Sequence, residues 1–185
     1  MIDQNVATSS DFVERLHEVA ILMMTVLAAI IYGVIHDQIT VRICLEYFTM
    51  FHDLPFESDS PTVIALLMGI LATWWVGLPL GVGLMLASRA GSLPKRSAMS
   101  LIRPLAVLLV LMGIGTVIAG FAGYHFASTG QVVPPGDFAQ IILKSRHPVF
   151  VADYWAHNAS YLGGVIGGLG LIFWVVWSRY RQVQR

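Results

Sequence analysis

His36, His125 and His157 each stand at one end of a long apolar run of the sequence. Antiparallel helices would bring those three ends to one level. Three imidazoles joined there by a carboxylate such as Glu46 or Asp153 would form a site for a divalent transition metal, zinc or iron. Asp153 and His157 are four residues apart and share a face on a helix. An aspartate so placed could ligate, or could orient a ligand histidine through its second ring nitrogen. The stretch DYWAHNASYLGG (153–164) adds Asn158, Ser160 and Tyr161 to the same place. Asp37, Tyr47 and Asp53 lie near the other apolar ends, while His52 and His147 fall in connecting segments.

The patterns that would specify such chemistry are missing. There is no His-Glu-x-x-His, no Glu-x-x-His pair of di-iron bundles and no Cys/His knuckle. The bland alternative for each histidine alone is a hydrogen-bonded residue near a membrane interface. A haem held by His125 and His157 is a second form of the metal reading. It lacks the further histidine pair that a transmembrane electron carrier needs near the opposite face. No nucleophile elbow accompanies Ser160, and no acidic or basic residue falls at mid-depth in the apolar runs, as a transport path would need.

The elements that must position these residues are apolar helices. Of the 185 residues 56% are hydrophobic and only 12% charged, about half the charge of a soluble domain. Lipid is the implied solvent. The runs predict an all-α membrane protein of one domain, 1–185, with four transmembrane helices at about 19–35, 61–88, 104–124 and 157–177. The first run follows an acidic leader without a clear cleavage site, so it reads as a helix rather than a signal peptide. His147-Pro148 permits an earlier start for the fourth helix, which would then run for about 30 residues, or about 45 Å. Pro79 should kink the second helix or break its hydrogen bonding. Segments 36–60 and 125–156 are the long connections.

Lys and Arg fix the orientation. Arg89, Lys95, Arg96 and Arg103 lie between helices two and three, and Arg179, Arg181 and Arg185 follow helix four. The long connections hold only Arg42, Lys144 and Arg146. Both termini should be cytoplasmic, with the long connections outside. Residues 39–47 alternate Ile39, Val41, Ile43, Leu45 and Tyr47 with Thr40, Arg42, Cys44 and Glu46, which predicts a half-buried strand presenting Arg42 and Glu46 together. A small extracytoplasmic cap containing short β-strands is therefore expected, with Cys44 packed within it and a partner strand around FAQIILK or HPVFVA.

Basic and acidic residues number 11 each, so no net field attracts nucleic acid, and none is expected as a partner. The lone Cys44 excludes a disulfide or a thiolate cluster within the chain. Gly163/Gly167, Gly164/Gly168 and Gly77/Gly81 are small-x-x-x-small pairs that let helices approach closely, within a bundle or between copies.

The blocks HDQIT (36–40), EYFT (46–49) and ATWWVG (72–77) resemble a family of small bacterial inner-membrane proteins. In that family a His-Asp-Gln-Ile/Val-Thr block follows helix one, a Glu-Tyr-Phe/Tyr-Thr block comes soon after, and Ala-Thr-Trp-Trp-Val-Gly lies on the next helix. Leu45 stands where that family has proline. The resemblance covers the first half of the chain and implies a bacterial inner-membrane setting without implying a reaction. Two functions stay open: a membrane protein with a metal or cofactor site built from His36, Glu46, His125, Asp153 and His157, and a non-catalytic accessory or structural subunit of a larger membrane complex.

Overall fold

The computed structural model describes residues 2–52 and 55–184, with side chains from residue 12 onward; Asp53 and Arg185 lie outside the described residues. The helices are α1 (Ile2–Ile43), α2 (Leu45–Met50), α3 (Pro61–Leu71), α4 (Trp74–Arg89), α5 (Ala98–Ser128), α6 (Phe138–Ile141) and α7 (His147–Val183). A 3-10 turn, Lys144–Arg146, precedes α7. Among the described residues, four stretches are long and apolar enough to cross a membrane: Phe12–Ile43, Pro61–Arg89, Ala98–Ser128 and Lys144–Val183. α1 packs on α3 and α4, α5 packs on α7, and α4 meets α7. Large apolar side chains such as Ile35, Phe121 and Phe173 point outward, as lipid as solvent requires.

The expected strand over 39–47 is helix, and among the described residues there is no strand at all. The buried residues of this stretch explain the difference. Gly33, His36, Asp37, Thr40, Val41 and Cys44 are buried while Ile35, Ile39 and Ile43 face outward. That spacing is one stripe of a 3.6-residue helix. In lipid the outward stripe is also apolar, so alternation of β-branched residues ceases to mark a strand. Arg42 and Glu46 accordingly part company. Arg42 donates to Gln38 Oε1 and Thr62 Oγ1, both at 2.9 Å.

The second span is interrupted at Ala72–Thr73, upstream of Pro79, which remains inside α4. Breaking a helix in lipid frees carbonyls that must find other donors. Tyr161 on α7 donates to Ala72 O at 3.3 Å, and Thr73 Oγ1 donates to Gly69 O at 2.5 Å. The glycine pairs are occupied within the chain. A methyl added at Gly77 would meet Ala29 and Val26 of α1, and one at Gly168 would meet Leu80 of α4.

Two compact clusters hold the ends of the bundle. At one, Val41, Cys44, Tyr47, Phe48, Ile64 and Phe150 are buried together. At the other, Ile21, Leu84, Leu101 and Val175 do the same. Beside the second cluster Arg179 turns inward and is 2% exposed. Its guanidinium donates to Pro94 O and Ala90 O at 2.8 Å, to Leu93 O at 2.9 Å, and to Ala87 O. It thereby satisfies the carbonyls that end α4 and shape the following turn. Arg181, two residues on and about 200° round the helix, lies 4.3 Å over the Trp177 ring instead.

Arg179→Ala should therefore cost about 3 kcal/mol, because buried carbonyls lose a charged donor. Arg181→Ala should be close to neutral, and thermal melts of the two variants in detergent decide between these roles. Burial pushes the Cys44 thiol up to about 12. A maleimide at pH 7.5 should leave the native protein unlabelled and label it fully after denaturation. Rapid native labelling would contradict the closed packing around the α1–α2 break.

Candidate metal centre

α1 and α7 build the polar centre between them. Because α1 continues to Ile43, His36 and Asp37 lie within a helix rather than after one. Because α7 begins at His147, with Pro148 in its first turn, Asp153 and His157 also lie within a helix, at i and i+4. All four side chains are buried: His36 9%, Asp37 5%, Asp153 1% and His157 7% exposed.

The geometry centres on His157. Its Nδ1 is 3.0 Å from the Asp153 carbonyl oxygen, which can only accept, so Nδ1 carries the hydrogen. Asp153 Oδ1 is also 2.8 Å from Nδ1, an ion-pair distance. Nδ1–H thus lies between the carbonyl and Oδ1 of Asp153, and Oδ2 is left without a partner. On the other side of the ring, Nε2 faces Asp37 Oδ1 at 3.3 Å. His36 stands edge-on to His157 at 4.4 Å between ring centroids, and its buried Nε2 has no hydrogen-bond partner. Tyr47 stacks on His157 at 4.3 Å and Phe48 closes its edge at 5.6 Å.

With Nδ1 protonated, the lone pair of Nε2 would face a carboxylate across 3.3 Å. That contact is repulsive unless a cation, a proton or a metal ion, stands between them. Donors about 2.0 Å from a tetrahedral metal are themselves about 3.3 Å apart, so the spacing equals one edge of such a site. His36, Asp37 and His157 each offer a ligand atom, all within 4.8 Å of one another. The donor set is two imidazoles and one carboxylate, which suits zinc or non-haem iron and leaves further positions open. The carbonyl that holds Nδ1–H fixes the tautomer a metal-bound histidine needs. These residues fit a metal.

Of the residues singled out in the sequence, the structure brings His36, Asp153 and His157 together. Glu46 is elsewhere, held by Arg146 in a two-point pair with Nε–Oε1 and Nη2–Oε2 both at 2.8 Å. His125 is exposed and meets Phe126 rather than the centre. Helix rotation explains this: Gly123 and Ala127 are the buried face of α5, and His125, between them in sequence, points to the far side. The His125–His157 axial pair needed for haem is not assembled. Asp37 takes the carboxylate place expected for Glu46. His147 is buried apart from the centre, with Nε2 3.1 Å from Ile142 O.

The chain matches no family model, no curated protein and no solved structure.

Glu46 has its own measurable consequence. The hydrogen bonds from Arg146 hold its carboxyl down, from 4.5 to about 2. A depressed carboxylate contributes stability that is complete above its unfolded value and is lost as pH falls through the folded one. Its side chain is 30% exposed and that of Arg146 39%, so water screens the pair. Glu46→Gln should cost about 1 kcal/mol or less at pH 7. The gap between wild-type and variant melting temperatures should close between pH 4.5 and about 2. A gap that persists unchanged there would assign the effect to packing.

Proposed function

We propose that this chain is a multi-pass protein of the bacterial inner membrane that holds one divalent transition metal, zinc or iron, between α1 and α7. The observation that carries the reading is the buried His157–Asp37 contact at 3.3 Å, with the Nδ1 hydrogen already committed to the Asp153 carbonyl. The unpartnered Nε2 of His36 beside it supplies the further ligand. The distribution of Lys and Arg supports cytoplasmic termini and an outward-facing centre. The resemblance of the HDQIT, EYFT and ATWWVG blocks supports the bacterial setting. The three blocks also converge on the centre: His36 and Asp37 offer ligand atoms, Tyr47 stacks on His157, and Ala72 is held by Tyr161 of α7. A bound metal would supply a Lewis acid or a redox centre. The chain's own contribution is to fix the His157 tautomer, exclude water and present Asp37 and His36.

Elemental analysis of detergent-purified protein tests this directly. Wild type should carry about one zinc or iron per chain, lost in His157→Ala and Asp37→Asn and kept in His125→Ala. Iron would add an absorption spectrum that disappears with the metal. Metal-free wild type, or His157→Ala with undiminished metal, would leave His157 as a bridging imidazolium and end the metal reading.

A further inference from the structure

A second feature adjoins the centre on its lipid side. A groove of about 550 Å³ runs between α1 and α5, a volume typical of small-molecule sites. Its walls are two matching helical stripes, Tyr32 to Ile43 on α1 and Gly113 to Tyr124 on α5, each with i, i+3, i+4 spacing. Eleven residues of rise make it about 17 Å long, roughly half the hydrocarbon thickness. The walls face outward as well as inward: Ile35 is 58% exposed and Phe121 74%, so the groove opens sideways to the surroundings of the bundle. Small residues hold it open. A Cβ added at Gly113 would meet nothing within 4 Å.

The floor is α7, where Ala152 and Ala156 flank Asp153. This is where the groove differs from a simple gap between helices. Asp153 is 1% exposed; its Oδ1 is held at ion-pair distance by His157 Nδ1, 2.8 Å away, while Oδ2 has no partner, and His36, on the α1 wall, has its Nε2 unpartnered. Unpartnered acceptors in an apolar groove call for a donor carried in by the occupant. An anionic head is excluded, since it would lie against Asp153 with Asp37 close behind. A neutral hydroxyl is the donor cheapest to bring out of the bilayer. Tyr32, His36, Phe121 and Tyr124 line the groove with rings, which favours an aromatic head.

We propose that the α1–α5 groove binds a membrane-borne amphiphile with an aromatic hydroxyl head, the class to which quinols belong, and that the hydroxyl donates to Asp153. The apolar tail follows the two helical stripes. This site stands on Asp153 and the groove, and does not require that a metal be bound.

The test is binding of decyl-benzoquinol, kept reduced under argon, to the full chain in phosphatidylcholine nanodiscs, with uptake by empty discs subtracted. Metal content is measured on the same samples. Wild type should take up the quinol saturably, at about one per chain. Gly113→Leu, whose Cβ enters open space at the groove, should bind about tenfold more weakly with its melting temperature and metal content unchanged. The oxidised quinone, which has no hydroxyl to donate, should also bind wild type about tenfold more weakly, the cost of one hydrogen bond to a charged acceptor. Absence of saturable uptake by wild type, or equal affinity in Gly113→Leu, would overturn the groove as the site. Equal affinity for quinone would overturn the Asp153 contact. Quinol binding by metal-free wild type would uphold this proposal while ending the metal reading, and the converse result would do the opposite.

Discussion

The contact between His157 and Asp37 is the buried polar link between α1 and α7 on which the register of this end of the bundle depends. A charged or half-charged group in a lipid-surrounded core is tolerated only where a partner of opposite sign is fixed in place. α1 supplies Asp37, α7 supplies His157 and Asp153, and the short helix α2 folds back to cover the ring with Tyr47 and Phe48. The arrangement sets the register of α7 against α1. Sliding α7 by one residue would turn His157 by about 100° away from Asp37 and leave a carboxylate buried alone.

The opposite end obeys the same rule with the signs exchanged. There the most deeply buried charge is Arg179, and its partners are carbonyls rather than carboxylates. Around it Glu14 pairs with Arg89 and Lys95, and Arg96 donates to Ser178 Oγ at 2.9 Å. Between the two polar ends the helices meet through glycines and apolar side chains, which carry little directional information. The polar ends therefore decide which of several similar helix packings is adopted, and the glycines decide how closely it can be made.

Much of this was legible in the residues, and what was not has a physical cause. The four spans followed from runs of uncharged residues, and the long α7 from His147-Pro148, with Asp153 and His157 on one face as the spacing implied. The strand over 39–47 was misread because period-two alternation distinguishes faces only when one of them is wet; lipid makes both apolar. His125 was misplaced for a related reason. Equal depth follows from helix length, but the direction a side chain points follows from rotation, and α5 is so uniformly apolar that its inward face is not marked. Gly123 and Ala127 mark it only weakly. Asp37 was visible as an acid beside His36, yet its priority over Glu46 depended on α1 continuing past Asp37 and on Arg146, a hundred residues away, claiming Glu46.

The metal centre and the groove share a wall. Tyr32 and His36 line both the groove and a smaller cavity of about 80 Å³ beneath His157, bounded by Thr73, Ser160 and Tyr161. Tyr32 is fixed by its hydrogen bond to Thr116 of α5 at 3.1 Å, so His36 is the member of that wall free to choose its partner. Its Nε2 can meet a metal beside Asp37 or a head group above Asp153. An imidazole that ligates through one nitrogen is held in orientation and cannot use that nitrogen elsewhere. A metal in the centre would claim His36 Nε2 and withdraw it from the groove, leaving Asp153 as the acceptor on which an occupant of the groove depends.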